Sequence, residues 1–83
     1  MTITQLKYTL AVAEYGNFTT ASDKCFVTQP TLSMQVQKLE EELGVTIFNR
    51  STKPLQVTEI GNKVLIQARK IVEESSRMND VIS

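Results

Sequence analysis

Two short stretches gather the hydrogen-bonding side chains of this chain, and neither holds the parts of a catalytic site. The first is Thr28-Gln29-Pro30-Thr31-Leu32-Ser33-Met34-Gln35-Val36-Gln37-Lys38, which offers hydroxyls, amides and one cation with no acid among them. The second is Arg50-Ser51-Thr52-Lys53, two cations and two hydroxyls, again without an acid. Such groups suit phosphate oxygens and the edges of bases. Reactions are poorly served. The chain has no histidine, no nucleophile with a base in view and no phosphate-cradling glycine loop. With one cysteine besides, it lacks the ligands for a zinc site, and no cofactor is expected. The acids Glu40, Glu41 and Glu42 are adjacent, so on a helix they fan around it and read as a solvated end.

The first stretch must sit on a helix. Leu32, Val36, Leu39 and Leu43 recur at steps of four, three and four, which stacks them on one face. Thr28 or Gln29 caps the start, and Pro30 is harmless in a first turn whose amides lack helical acceptors. Gly44 ends the helix, because it turns left-handed at no steric cost. With the leucine stripe inward, Pro30, Thr31, Ser33, Met34, Gln37 and Lys38 point outward.

The rest of the chain supports that helix. Thr2 or Thr4 caps a first helix to about Tyr15, with Ile3, Leu6, Leu10 and Ala13 inward and Gly16 at its end. Phe18 is a core anchor. Asn17 or Thr19 caps a short helix, Thr20 to Cys25, with Ala21 and Cys25 inward. Phe26 and Val27 make the turn. A short helix, a tight turn and a longer helix with a polar outer face form a helix-turn-helix at about 18–37. Beyond Gly44 the period changes. Val45, Ile47, Leu55 and Val57 alternate with polar residues as two short strands. The loop between them, Phe48 to Pro54, is a wing whose tip carries Arg50, Ser51, Thr52 and Lys53 for phosphate or minor-groove contact.

Thr58 caps a last helix from about Glu59 to Ile82. Val64, Ala68, Ile71, Ser75, Met78 and Ile82 recur at heptad spacing, with Leu65 and Val72 beside them. A helix of roughly 35 Å, at 1.5 Å per residue, outruns the head that precedes it. A second copy of the chain is the simplest cover for its apolar face. The expected architecture is therefore mainly α: a winged helix-turn-helix over residues 1–58, three helices plus a two-stranded wing, then a long linker and dimerisation helix over 59–83.

Composition sets outer bounds. The 83 residues carry nine cations and nine anions, a net charge of zero, which is not the basic balance of a strong nucleic-acid binder. No apolar run approaches a membrane span and no secretory signal is visible, so the expected location is inside the cell, in the cytoplasm. The chain stops at Ser83 within a helical pattern, as expected of a piece of a longer protein.

Five segments carry a family resemblance: Asn17-Phe18-Thr19, Thr28-Gln29-Pro30-Thr31-Leu32-Ser33, Lys38-Leu39-Glu40-Glu41-Glu42-Leu43-Gly44, Phe48-Asn49-Arg50 and Val57-Thr58-Glu59-Ile60-Gly61. Together they resemble the DNA-binding head of the LysR-type transcriptional regulators, over nearly the whole chain. The stretch Lys24 to Ser33 looks most like the peroxide-sensing members, in which the redox cysteines lie in a sensor domain. Cys25 is accordingly expected to be a buried residue of the second helix. The resemblance implies a sensor domain absent from this fragment, a homodimer through the linker helices, a tetramer for the full-length protein and interrupted palindromic promoter sites. By position, Gln29, Pro30, Thr31, Ser33 and Met34 fall where the family meets the major groove, and Arg50 to Lys53 fall on its wing. Met34 stands where a basic or small residue is common, and Gln37 where arginine is frequent.

The sequence thus points to a double-stranded DNA reader. Lys38, the helix tip, Arg50 and Lys53 would hold phosphates, while Gln29, Pro30, Thr31, Ser33, Met34 and Gln37 would meet base edges. The rival from another class is a protein-interaction module on the same fold, which the neutral charge suits.

Overall fold

Every helix begins on a side chain that caps it. In the computed structural model, which describes residues 1–83, Thr2, Asn17, Thr28 and Thr58 each accept from an amide of the first turn they precede. The helices so started are α1 (Ile3–Tyr15), α2 (Phe18–Lys24), α3 (Gln29–Leu43) and α4 (Glu59–Ile82). Between α3 and α4 lies the wing, β1 (Phe48–Asn49) antiparallel to β2 (Gln56–Val57), with Phe48 opposite Val57 and Asn49 opposite Gln56. This is a mainly α winged helix-turn-helix with a long last helix, as expected. Thr2 rather than Thr4 caps α1, and it does so reciprocally, since Gln5 Oε1 accepts from the Thr2 amide at 3.0 Å.

The core joins all elements: Leu6 and Val12 of α1, Ala21 of α2, Leu32, Val36 and Leu39 of α3, Ile47 and Phe48 at the wing, and Leu65 and Ala68 of α4. Ile3, Leu10 and Ala13 are only half-buried around it, while Gln5, Thr9 and Val12 are enclosed. The apolar pattern misplaced this face because α1 is packed on three sides, by α2, α3 and α4. The buried polar groups are satisfied: Thr9 Oγ1 donates to Gln5 O at 2.8 Å, and Gln5 Nε2 donates to Gln35 Oε1 at 3.0 Å. In α2, which starts at Phe18 and not Thr20, the inward pair is Ala21 and Ser22, and Ser22 gives its proton to Thr19 O. Cys25 follows the helix end and is half-buried; burial raises its thiol pKa, so at neutral pH it stays protonated and weakly nucleophilic. Leu43 leaves the core stripe and is 39% exposed.

The wing is shorter than the alternation of Val45, Ile47, Leu55 and Val57 suggests, with two residues in each strand. Ile47 and Phe48 are buried one after the other. Both amides turn to one carboxylate: Ile47 N and Phe48 N donate to Glu40 Oε2 at 2.7 and 3.3 Å. Phe48, read from sequence as part of the polar loop, is a core residue instead. Its ring meets that of Phe18 edge to face at 5.9 Å.

Phe26 closes the turn between α2 and α3 at φ 59°, in the left-handed region, with its side chain 93% exposed. A Cβ there costs about 1 to 2 kcal/mol, and the ring recovers none of it by burial. Phe26→Asn, a residue that tolerates this conformation, should stabilise the chain by about 1 kcal/mol in a thermal melt. A lower melting temperature would mean that the ring makes a contact that its exposure does not suggest.

Candidate nucleic-acid interface

The outer face of α3 stands open to solvent. Gln29, Pro30, Thr31, Met34, Gln37 and Lys38 are exposed, and Ser33 is half-buried. At the tip, Thr28 and Thr31 pair their hydroxyls at 2.8 Å while the Thr31 amide donates back to Thr28 Oγ1. The tip therefore offers hydroxyls beside the positive end of the helix dipole, a favourable place for an anion. Further along, Gln37 Nε2 donates to Glu41 Oε1 at 3.3 Å.

Arg50 is not the projecting cation that its position in the loop suggests. Its guanidinium turns back across α3, donating to Ser33 Oγ at 2.9 Å and lying 3.6 Å from Glu40 Oε1. It also covers the face of Phe18, 4.3 Å from the ring centroid. One side chain thus ties the wing to both helices of the helix-turn-helix. Glu40, read as part of a solvated helix end, is its anchor, with only 14% of its side chain exposed. The sequence held one signal for this: Ser33 and Glu40 are seven residues apart, two turns of helix, and so share a face.

The wing tip is built by its own polar groups. Ser51 Oγ donates to Asn49 Oδ1 at 2.6 Å, and Thr52 Oγ1 donates to Asn49 O at 3.1 Å. Those two hydroxyls shape the turn, and their protons are committed inside it. Lys53 is exposed. On the outer face of α3 and the wing tip, Lys38 and Lys53 have no acid within ion-pairing reach, whereas Arg50 is paired.

The long helix carries two apolar stripes rather than one broad one. Gly61, Leu65 and Ala68 face the head and are buried, with Val72 half-buried on the same side. Ala68 is 2% exposed within this single chain, so it is committed to the core and is not free for a seam between copies. Val64 and Ile71 are half-buried at the edge of the core, Ser75 is half-buried, and Met78 and Ile82 are exposed. These five, with the exposed Ile60, form a second stripe about 90° around the helix from the first. No helix is long and apolar enough to cross a membrane.

Fold and surface together define a winged helix-turn-helix protein whose third helix has an outer face without an acid in its first three turns. The chain belongs to the LysR family of bacterial regulatory helix-turn-helix proteins, whose model matches residues 3–62. It is 40% identical over 83 residues, its whole length, to the transcriptional dual regulator OxyR of Escherichia coli K12, covering 27% of that protein. A full-length OxyR variant from Pseudomonas aeruginosa superposes with a TM-score of 0.94 at 40% identity, over 99% of this chain and 28% of that one. The BenM DNA-binding domain in complex with its catB site 1 DNA superposes at 0.92 with 38% identity, over 96% of this chain and 86% of that one. The chain thus spans about a quarter of the length of the curated relatives it matches.

Proposed function

We propose that this chain is the sequence-specific, double-stranded DNA-binding head of a bacterial transcription regulator of the OxyR type, acting on promoters in oxidative stress. One observation carries the reading: an exposed helix face of hydroxyls, amides and Lys38, without an acid in its first three turns, stands beside a wing bearing Lys53. The similarity to BenM, a relative whose DNA-binding domain is solved on DNA, and the match to OxyR along the whole of this chain support it. In this reading α3 enters a major groove, and Gln29, Pro30, Thr31, Ser33, Met34 and Gln37 meet base edges. Lys38, Lys53 and the helix tip hold phosphates. Residues 1–58 form the head and 59–83 the dimerisation helix. The seam between two copies uses Val64, Ile71, Ser75, Met78 and Ile82, extended by Ile60, and the longer protein assembles further into a tetramer. The site of action is the nucleoid, in the cytoplasm.

Fluorescence anisotropy with a pool of duplexes, titrated with salt, tests this. A subset of sequences should bind tightly, with log affinity falling steeply against log salt. Lys53→Ala should weaken all sequences alike and flatten that slope by about one unit. Equal, weak binding across the pool, persisting when the chain is fused to a dimerising partner, would instead favour a protein-interaction surface.

A further inference from the structure

Ser33 is the outer-face hydroxyl held by a charged donor from the wing. Arg50 Nη1 lies 2.9 Å from Ser33 Oγ, and a guanidinium can only donate, so the direction of this bond is fixed. At the helix tip Thr28 Oγ1 also accepts from a fixed donor, the Thr31 amide, but the Thr28 and Thr31 hydroxyls bond each other and either can donate to the other, so neither proton is assigned outward. A serine hydroxyl has one proton and two lone pairs. Helical hydroxyls often give that proton back to their own helix, as Ser22 does to Thr19 O at 2.8 Å and Thr9 to Gln5 O. Ser33 makes no such bond, and its only partner in the chain is Arg50.

The donor is itself held in place. Glu40 Oε1 faces the guanidinium at 3.6 Å, the Phe18 ring lies beneath it at 4.3 Å, and Glu40 Oε2 is fixed by the Ile47 and Phe48 amides. A charged donor on Oγ also polarises the hydroxyl and strengthens its own outward bond.

We propose that Arg50 is a positioning residue for sequence recognition: by donating to Ser33 Oγ it occupies one lone pair and polarises the hydroxyl, so that Ser33 favours donating outward and α3 prefers a hydrogen-bond acceptor on the DNA at that point. The proposal rests on the DNA-binding reading above. The acceptors available in a major groove are purine N7, guanine O6 and thymine O4, with phosphate oxygens at its rim. Cytosine N4 and adenine N6, which only donate, are disfavoured there, since they would meet an oxygen already accepting from a cation.

The test uses the 83-residue chain and a duplex selected from a random pool. Each purine is replaced in turn by its 7-deaza form, each guanine by 6-thioguanine, each thymine by 4-thiothymine and each phosphate by methylphosphonate. For the wild type, one substitution should cost about two- to tenfold in affinity through a single lost hydrogen bond. The class of that substitution says whether the acceptor is a base or a phosphate. In Ser33→Ala that penalty should vanish. It should also vanish in Arg50→Gln, whose amide oxygen can accept the Ser33 proton, and persist in Arg50→Lys, which can only donate. An unchanged scan in Arg50→Gln, with the salt slope lowered by about one unit, would make Arg50 a plain phosphate clamp and overturn the proposal. Should Arg50→Gln fail to fold, Ser33→Ala still decides: a scan identical to the wild type's would overturn it. Failure of the wild type to select any duplex would refute the DNA-binding reading itself.

Discussion

Glu40→Ala should destabilise the chain by about 3 kcal/mol, which for a domain of this size lowers the melting temperature by about 12 to 24 °C. Two neighbouring amides, Ile47 N and Phe48 N, lose their shared acceptor and have no strand partner to take its place. Each such loss in a part-buried setting costs about 1 kcal/mol or more. Arg50 loses its counter-ion too, but it is 38% exposed, so water offsets much of that part. Glu40→Gln separates the contributions. Its amide oxygen can still accept from the two amides, so it should retain more than half of the lost stability. A melt in which the Gln and Ala variants fall equally would place the stabilisation in the Arg50 ion pair and not in the amides.

The second large effect is Gly61→Ala. Within a helix this exchange ordinarily stabilises by up to about 1 kcal/mol. Here an added Cβ would lie 2.5 Å from Ile47 O and 2.9 Å from Thr58 Oγ1. The first of these is backbone and cannot rotate aside. We expect a net loss of about 2 kcal/mol, the range of overpacked sites, with the amide resonances of Ile47, Phe48 and Gly61 displaced in a heteronuclear NMR spectrum. A gain in stability with those resonances unmoved would show that α4 does not press on the wing.

Most of the architecture was legible because it follows from local rules. Caps at Thr28 and Thr58, the stop at Gly44 and the Leu32–Val36–Leu39 stripe each act within one or two turns, and each stands where the pattern put it. What escaped depends on contacts between distant segments. Glu40 looked solvated because its partners, Ile47, Phe48 and Arg50, come after the helix has ended. Arg50 looked free because composition marks a cation without showing where its guanidinium folds back. The buried face of α1 was misjudged because Thr9 and Gln5 satisfy their polar groups inside the core, which an apolar pattern cannot register. In α4, two stripes a quarter-turn apart merged into one heptad, so Ala68 was assigned to the wrong one. On the outer face of α3 the exposure of Pro30, Thr31, Met34, Gln37 and Lys38 was legible, because it follows from helical period once the core side is known, and only Ser33 of that set is half-buried.

The peptide at Ile47–Phe48 is where three elements are fastened. Its amides hold Glu40 of α3, and the Ile47 carbonyl accepts from the backbone N–H of Thr58 at 2.9 Å, at the residue that caps α4. The Thr58 hydroxyl reaches the Thr46 and Ile47 carbonyls as well. The third helix, the wing and the root of α4 therefore share one joint and have little freedom to tilt separately. A pair of such heads facing operators with unequal half-site spacing would have no slack inside either head. The misfit would fall on α4 beyond Val72, where the side chains are mostly exposed, or on the DNA, which would have to bend. Tolerance to operator spacing would then depend on the length of the unsupported helix and the stiffness of the intervening base pairs.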